Sequence, residues 1–195
     1  MDVIEAIYHR RAVRLYRSDP VSREQVHAVL DAANQAPSGL NRQPWEFLVV
    51  TGEKIREMGK SYHSTLTEYL KNWEASPMSR ALTRDEFIRF SETYGGAPVV
   101  IVLFVKADPI PNFRKADLES ASAAMQNLLL AATALGLGTC WMTGPTRDEK
   151  TLRQILALPD DREIVAITLL GYPEKIPLAP ARLDHGLEQK VRWVE

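Results

Sequence analysis

The feature that most constrains this chain is a long apolar stretch in its second half. Within Ala116 to Leu135, the run ESASAAMQNLLLAATAL has helical composition and is apolar on almost every side. Such a helix is stable only when neighbouring elements surround it. Gly136 and Gly138 supply the stop at its C-terminal end. The stretch therefore predicts a helix in the middle of a core.

Strand patterns occur before and after this helix. Four segments, rich in β-branched or apolar residues and bounded by turn residues, predict strands: Glu46–Thr51, Val99–Val105, Thr139–Met142 and Ile164–Leu170. The second of them, VVIVLFV, is typical of a strand buried inside a sheet.

Helix patterns alternate with these strands. Apolar spacing predicts a short helix over Asp2–His9, and an S-x-x-Q capping box at Ser22 begins a helix over Ser22–Ala36. Thr146 and Glu149 form a second predicted box, before a helix that ends at Ala157. Residues 53–92 predict two helices, broken near Ser76 and Pro77, that form a mobile cover. Strands and helices are thus mixed, and no boundary divides residues 1–195, so we expect one domain.

Composition excludes several classes of function. The 24 Lys and Arg residues nearly balance 25 Asp and Glu, so no general excess of charge attracts nucleic acid or an anionic membrane. The single cysteine, Cys140, excludes an internal disulfide and a cysteine-rich zinc site. With no recognisable signal peptide or membrane span, a cytoplasmic protein is expected.

Three short clusters could carry chemistry, and each has a structural alternative. Arg10, Arg11 and Arg14 suit a phosphate dianion, or they complement the dipole of the first helix. The segment APSGLNRQPW, residues 36–45, offers amides and short polar side chains to a heteroaromatic edge, or it is an ordinary loop. The segment GLGTCWMTGP, residues 136–145, presents backbone N–H groups at a strand end, or it is a plain turn.

Other chemistries have little support. The four histidines are scattered without metal-ligand spacing, and Ser38 lies outside a G-x-S-x-G motif. Cys140 lies in an apolar strand, where a cysteine is more often a small buried hydrophobe than a nucleophile. No G-x-G-x-x-G fingerprint provides a permanent dinucleotide site.

Taken together, four segments in this order resemble the nitroreductase family of flavin enzymes. They are HRRAVRLY, APSGLNRQPWEFLVV, SAAMQNLLLAATALGLGTCWM, and LGYP followed by RLDHGLEQKVRW. The resemblance implies an α+β fold, with a central, mostly antiparallel sheet flanked by helices. It also implies an intertwined homodimer with flavin mononucleotide (FMN) at the subunit interface.

The resemblance further implies which residues bind FMN. The basic motif corresponds to Arg10, Arg11, Ala12 and Arg14, with Arg10 on the phosphate and Arg14 on the ribityl chain and pyrimidine edge. The proline-serine loop, which reaches the partner's flavin, corresponds to Pro37, Ser38, Gly39 and Asn41, with Gln43 on the pyrimidine side. Met142, Thr143 and Gly144 lie along the N5 edge, and Arg182 completes the phosphate site. Ala12 replaces a common serine, and the stretch around Arg182 is less basic than usual in the family.

The implied activity is hydride transfer from NADH or NADPH, through FMN, to a small electron-poor acceptor such as a nitroaromatic or a quinone. Because one face of a flavin must serve both substrates, ping-pong kinetics are expected. Alternatives are a reductive dehalogenase, a flavin-fragmenting enzyme and a flavin-binding module without turnover. The segment Gly59–Thr93 sets substrate choice in the family but contains no motif that identifies the acceptor.

Overall fold

A computed structural model describes residues 1–179 and 186–195 of the chain. Its strands are β1 (Trp45–Thr51), β2 (Val99–Lys106), β3 (Gly138–Met142) and β4 (Arg162–Gly171). Within the described residues they form one antiparallel sheet in the order β1-β2-β4-β3. The predicted α+β class with an antiparallel sheet is confirmed, and the four predicted strands lie where the sequence placed them, to within two residues at each end.

The helices of the described residues lie on both faces of this sheet. Their bounds are α1 (Val3–His9), α2 (Arg23–Asn34), α3 (Glu53–Ser64), α4 (Thr67–Lys71), α5 (Arg84–Thr93), α6 (Pro111–Ala134) and α7 (Glu149–Leu156). Ser22 and Gln25 form the predicted capping box of α2. No helix in the described part of the chain is long and apolar enough to cross a membrane.

Strand β2 explains why the core has two halves. Its side chains alternate between the faces of the sheet, so Val100, Val102 and Phe104 join one apolar cluster while Ile101 and Leu103 join the other. The first cluster contains residues of α3 and α5, and the second contains residues of α2 and α6. Because β2 is covered on both faces, its sequence is a nearly continuous apolar run.

Two predicted helix starts were wrong. Helix α6 begins at Pro111 rather than Ala116, because the proline occupies a first-turn position where its missing N–H costs nothing. Helix α7 is capped by Asp148, whose carboxylate accepts from the Thr151 N–H, and not by Thr146. Thr146 instead belongs to a 3-10 turn, Gly144–Asp148.

The region predicted as two helices contains three, α3, α4 and α5, with 3-10 turns between the last two. It also supplies buried side chains to the first apolar cluster, among them Met58, Phe87 and Phe90. This region is therefore part of the core and not only a cover over it.

The turn after α5 supports the N-terminal segment. Gly95 has a φ of +66°, and its carbonyl accepts a 2.9 Å hydrogen bond from the Tyr16 N–H. A Cβ at this position would lie 1.8 Å from the carbonyl oxygen of Arg14. Only glycine allows the two backbones to approach this closely.

We predict that Gly95→Ala destabilises the protein far more than Gly136→Ala. Both glycines have positive φ, +66° and +75°, but a Cβ on Gly136 meets nothing within 4 Å. Gly136→Ala should therefore cost about 1 kcal/mol for its backbone conformation. Gly95→Ala should cost at least ~2 kcal/mol more, because main chain must move. Urea unfolding measures both, and equal losses would show that the contact with Arg14 does not matter.

Candidate functional site

The basic motif is held against the edge of the sheet. Arg10 follows α1 as its C-terminal cap, and the chain then extends, with Ala12 paired in parallel with Thr139 of β3. The Val13 N–H donates to the Thr139 carbonyl at 2.9 Å. Further along, the Tyr16 position pairs with Pro173, just after β4. The first and third sequence clusters are thereby brought together at β3.

The three arginines of this motif keep most of their donors available. Arg11 donates to the carbonyls of Tyr8 and Arg10, at 2.6 and 2.8 Å, and Arg14 donates to the Ala12 carbonyl at 3.2 Å. The half-buried Arg10 side chain has no hydrogen bond or ion pair with any other described residue. No carboxylate of residues 1–179 or 186–195 pairs with any of the three. Guanidinium groups that lack a carboxylate partner within the described part of the chain are suited to bind an anion.

Cys140 lies inside the sheet beneath these charges. Its side chain is buried, and burial raises the pKa of the thiol, while the nearby Arg14 and Arg10 oppose that shift. A thiol with a raised pKa is a poor nucleophile. Its place in the core agrees with the interpretation of Cys140 as a small hydrophobe.

Strand β3 ends at the turn that the sequence singled out. Met142 is buried, Thr143 is exposed, and Gly144 begins the 3-10 turn. The Thr143 carbonyl accepts from both the N–H and the hydroxyl of Thr146, at 3.1 and 2.6 Å. The Gly144 N–H donates to no acceptor in the described part of the chain. A backbone donor is thus available at the end of the strand that pairs with the basic motif.

An aromatic residue that sequence reasoning missed packs on this turn. A Cβ on Gly144 would lie 3.0 Å from the ring and the hydroxyl of Tyr62, so only glycine accommodates the contact without a shift. Tyr62 stacks on Tyr94, with ring centroids 6.1 Å apart. Burial raises the pKa of Tyr62 to about 12, and the charge of Arg147 opposes that shift. Tyr62 therefore keeps its proton at neutral pH.

A cation on the same turn was also missed. Arg147 lies over the ring of Tyr69, 4.7 Å from its centroid, and donates to its hydroxyl at 2.7 Å. Its neighbour Asp148 accepts from the Ser61 hydroxyl at 2.9 Å, which ties the turn to α3. Neither tyrosine belongs to a recognisable motif. The sequence signal that could have identified Arg147 is its position three residues after Gly144, a predicted site residue.

The second sequence cluster lies elsewhere in the same chain. The Gly39 N–H donates to the Ser120 hydroxyl of α6 at 3.2 Å, and within the loop the Gln43 N–H donates to Ser38 and its side chain to Asn41. Pro37 is exposed beside it. No hydrogen bond or ion pair between described residues joins this loop to the arginines or to the Gly144 turn. Arg182 lies outside the described residues.

The comparison with family models decides the relationship. The model of the nitroreductase family matches residues 7–172 of the chain. The chain belongs to the nitroreductase family. The match includes the basic motif, the loop at 37–43, the turn at Gly144 and all four strands.

Individual relatives agree with this assignment. The chain is 34% identical to a protein of Archaeoglobus fulgidus named NADH dehydrogenase/NAD(P)H nitroreductase, over 89% of this chain and 86% of that protein. It is 30% identical to the 4-nitrobenzoate reductase of Nocardioides sp. strain LMS-CY, over 85% and 78% of the two chains. A nitroreductase-type protein of Desulfovibrio desulfuricans, solved in complex with FMN, is 29% identical and superposes with a TM-score of 0.77 over 100% of this chain and 98% of the other.

An ion pair that the sequence did not reveal anchors the loop at 37–43. Arg42 binds Asp117 of α6 through two hydrogen bonds, at 2.9 and 2.8 Å, and also contacts Asp108 at 2.7 Å. Hydrogen bonds to Asp117 and then Asp108 raise the pKa of Arg42 further above its usual range. The Asp117 side chain is only 3% exposed, whereas that of Arg42 is 35% exposed.

We predict that Arg42→Met lowers the free energy of unfolding by about 2 to 3 kcal/mol, because it leaves the Asp117 carboxylate buried without a partner. The matched control is Arg114→Met, which removes an exposed arginine from its pair with Glu163 and should cost less than about 1 kcal/mol. Adding Asp117→Leu to Arg42→Met should restore part of the loss. Equal effects of the two arginine variants in urea unfolding would contradict the anchoring role.

Proposed function

We propose that this protein is an FMN-dependent oxidoreductase that transfers hydride from NADH or NADPH to a small electron-poor acceptor, such as a nitroaromatic or a quinone. The observation that carries the proposal is the pairing of the basic motif with β3, the strand that ends at the Gly144 turn. Among the described residues, the three arginines have no carboxylate partner and the Gly144 N–H has no acceptor. The cofactor supplies the two-electron redox chemistry when it is bound. The chain's residues supply binding, orientation and charge.

The residues present fit such a cofactor. Arg10 and Arg11 offer guanidinium donors to a phosphate, and each charge-assisted contact is worth about 1.5 to 3 kcal/mol. Arg14 would hold the pyrimidine edge, where its positive charge would stabilise the reduced cofactor. The Gly144 N–H would donate toward N5. Ala12 offers no side-chain hydrogen bond, so the arginines must carry the phosphate site.

The loop at 37–43 would complete the site of a second copy of the chain. Among the described residues, it makes no hydrogen bond to the arginines or the Gly144 turn of its own chain, and Leu40 at its tip is 84% exposed. The C-terminal Trp193 and Val194 are similarly exposed. We infer a homodimer in which Pro37, Ser38, Gly39, Asn41 and Gln43 of each subunit approach the partner's FMN. We also propose that each subunit is a single domain and that the protein is cytoplasmic.

Anaerobic spectroscopy and steady-state kinetics test the function together. The purified protein should be yellow, and NADH or NADPH should bleach it in the absence of any acceptor. Varying the nicotinamide at several acceptor concentrations should give parallel double-reciprocal lines, since both substrates use one face in turn. A flavin that stays oxidised until both substrates are present, together with intersecting lines, would rule out the shared site.

We further predict that Arg10→Ala weakens FMN binding about ten- to hundredfold, measured by fluorescence titration of the apoprotein. Arg23→Ala is the control, since Arg23 is an exposed cation on the first turn of α2. It should bind FMN as the parent does. Equal FMN affinities of the parent and the Arg10 variant would show that this motif does not bind the phosphate.

A further inference from the structure

Arg147 lies on the same 3-10 turn as Gly144, whose N–H we propose to face the flavin N5. The 3-10 turn runs from Gly144 to Asp148, and side chains three residues apart in a 3-10 helix lie on the same side. Arg147 therefore projects on the side of Gly144, which is the side that contacts Tyr62. A group bound by this guanidinium would therefore lie on the same side of the turn as Gly144.

Arg147 is held in place without being neutralised. Its stacking on Tyr69 and the hydrogen bond to the Tyr69 hydroxyl use one face and one donor of a group that has five donors. It forms no ion pair with a carboxylate among the residues that the structure describes. The adjacent acids are occupied, because Asp148 accepts from Ser61 and Thr151, and Glu149 pairs with Arg153.

The surroundings define the chemistry of a ligand. Tyr69 is partly buried and offers aromatic surface, whereas the buried ring of Tyr62 packs on Tyr94 and contributes a phenol hydroxyl that keeps its proton. Arg147 adds a planar cation that matches a carboxylate with two parallel hydrogen bonds. A flat aromatic ring that carries a negative group satisfies all three residues, whereas an uncharged ring leaves Arg147 unpaired.

We propose that Arg147 recognises the carboxylate of an aromatic acceptor, so that this protein prefers carboxylated nitroaromatic acceptors over uncharged ones of the same shape. The inference rests on the proposed function and adds the substrate class. The alternative anion that Arg147 could bind is the 2′-phosphate of NADPH. It is disfavoured because it lies at the far end of a dinucleotide from the reacting nicotinamide, whereas Arg147 is three residues from Gly144.

The test compares 4-nitrobenzoate with its methyl ester as oxidants of the holoenzyme after reduction by NADH, in stopped-flow experiments without oxygen. The parent should be reoxidised faster by the acid at equal concentration. In Arg147→Met the ratio of the second-order rate constants, acid over ester, should fall about ten- to hundredfold. Arg147→Lys should retain part of the preference. The control Lys150→Met, an exposed cation on α7, should keep the parent's ratio.

Equilibrium binding gives a second readout that does not depend on turnover. Benzoate and methyl benzoate, titrated into the oxidised holoenzyme and followed by flavin absorbance, should show the same change of preference. A parent that does not distinguish acid from ester overturns the proposal without any variant. An acid-over-ester ratio in Arg147→Met equal to the parent's also overturns it. So does an effect of Arg147→Met that is confined to the reduction of the flavin by NADPH, which would show that Arg147 binds the 2′-phosphate.

Failure of the proposed function gives a different result. A protein that binds no FMN, or whose FMN is not reduced by NADH or NADPH, overturns the oxidoreductase assignment, and the acceptor preference with it. A protein that is reduced and then reoxidised equally well by both acceptors keeps the assignment and refutes only the role of Arg147.

Discussion

The candidate site depends on the pairing of the Ala12–Tyr16 segment with the edge of the sheet. The hydrogen bond from the Val13 N–H to the Thr139 carbonyl fixes that segment beside β3. Gly138 makes the approach possible, since a Cβ there would lie 2.8 Å from Val13 Cβ. Without this pairing, the arginines after α1 would be surface cations at the end of a short helix. With it, they lie beside the strand that leads to the turn at Gly144.

The sequence predicted the inner layers of the fold well. β2 and the second half of α6 are covered on more than one side, so they are mostly apolar and can be recognised without knowing their neighbours. The ends of elements were predicted less well, because caps and turns depend on single side chains. Thr146 and Asp148 are both good N-cap residues, and only the tertiary structure shows that Asp148 is the one used.

The candidate site was predicted in pieces rather than as an arrangement. Each cluster was visible from its residue types, but their meeting requires a pairing between Ala12 and Thr139 that no local pattern encodes. The anchoring of Arg42 by Asp117 likewise joins residues 75 positions apart. Tyr62 and Arg147 were missed because an aromatic residue on a helix and a cation on a turn have many ordinary roles. Only their contacts with Gly144 and Tyr69 distinguish them.

The position of the N-terminal segment has a consequence for the order of folding. Its backbone partners are Gly95, β3 and the residues just after β4, so the segment is synthesised before all of them and must wait for β4 before it can dock completely. Contacts between such distant residues form late, because closing a long loop costs entropy before any contact repays it. During synthesis, the arginines and the apolar side of Val13 and Leu15 therefore remain exposed until β4 has left the ribosome. A chain released before β4 would present this segment unpaired, as a target for chaperones and proteases.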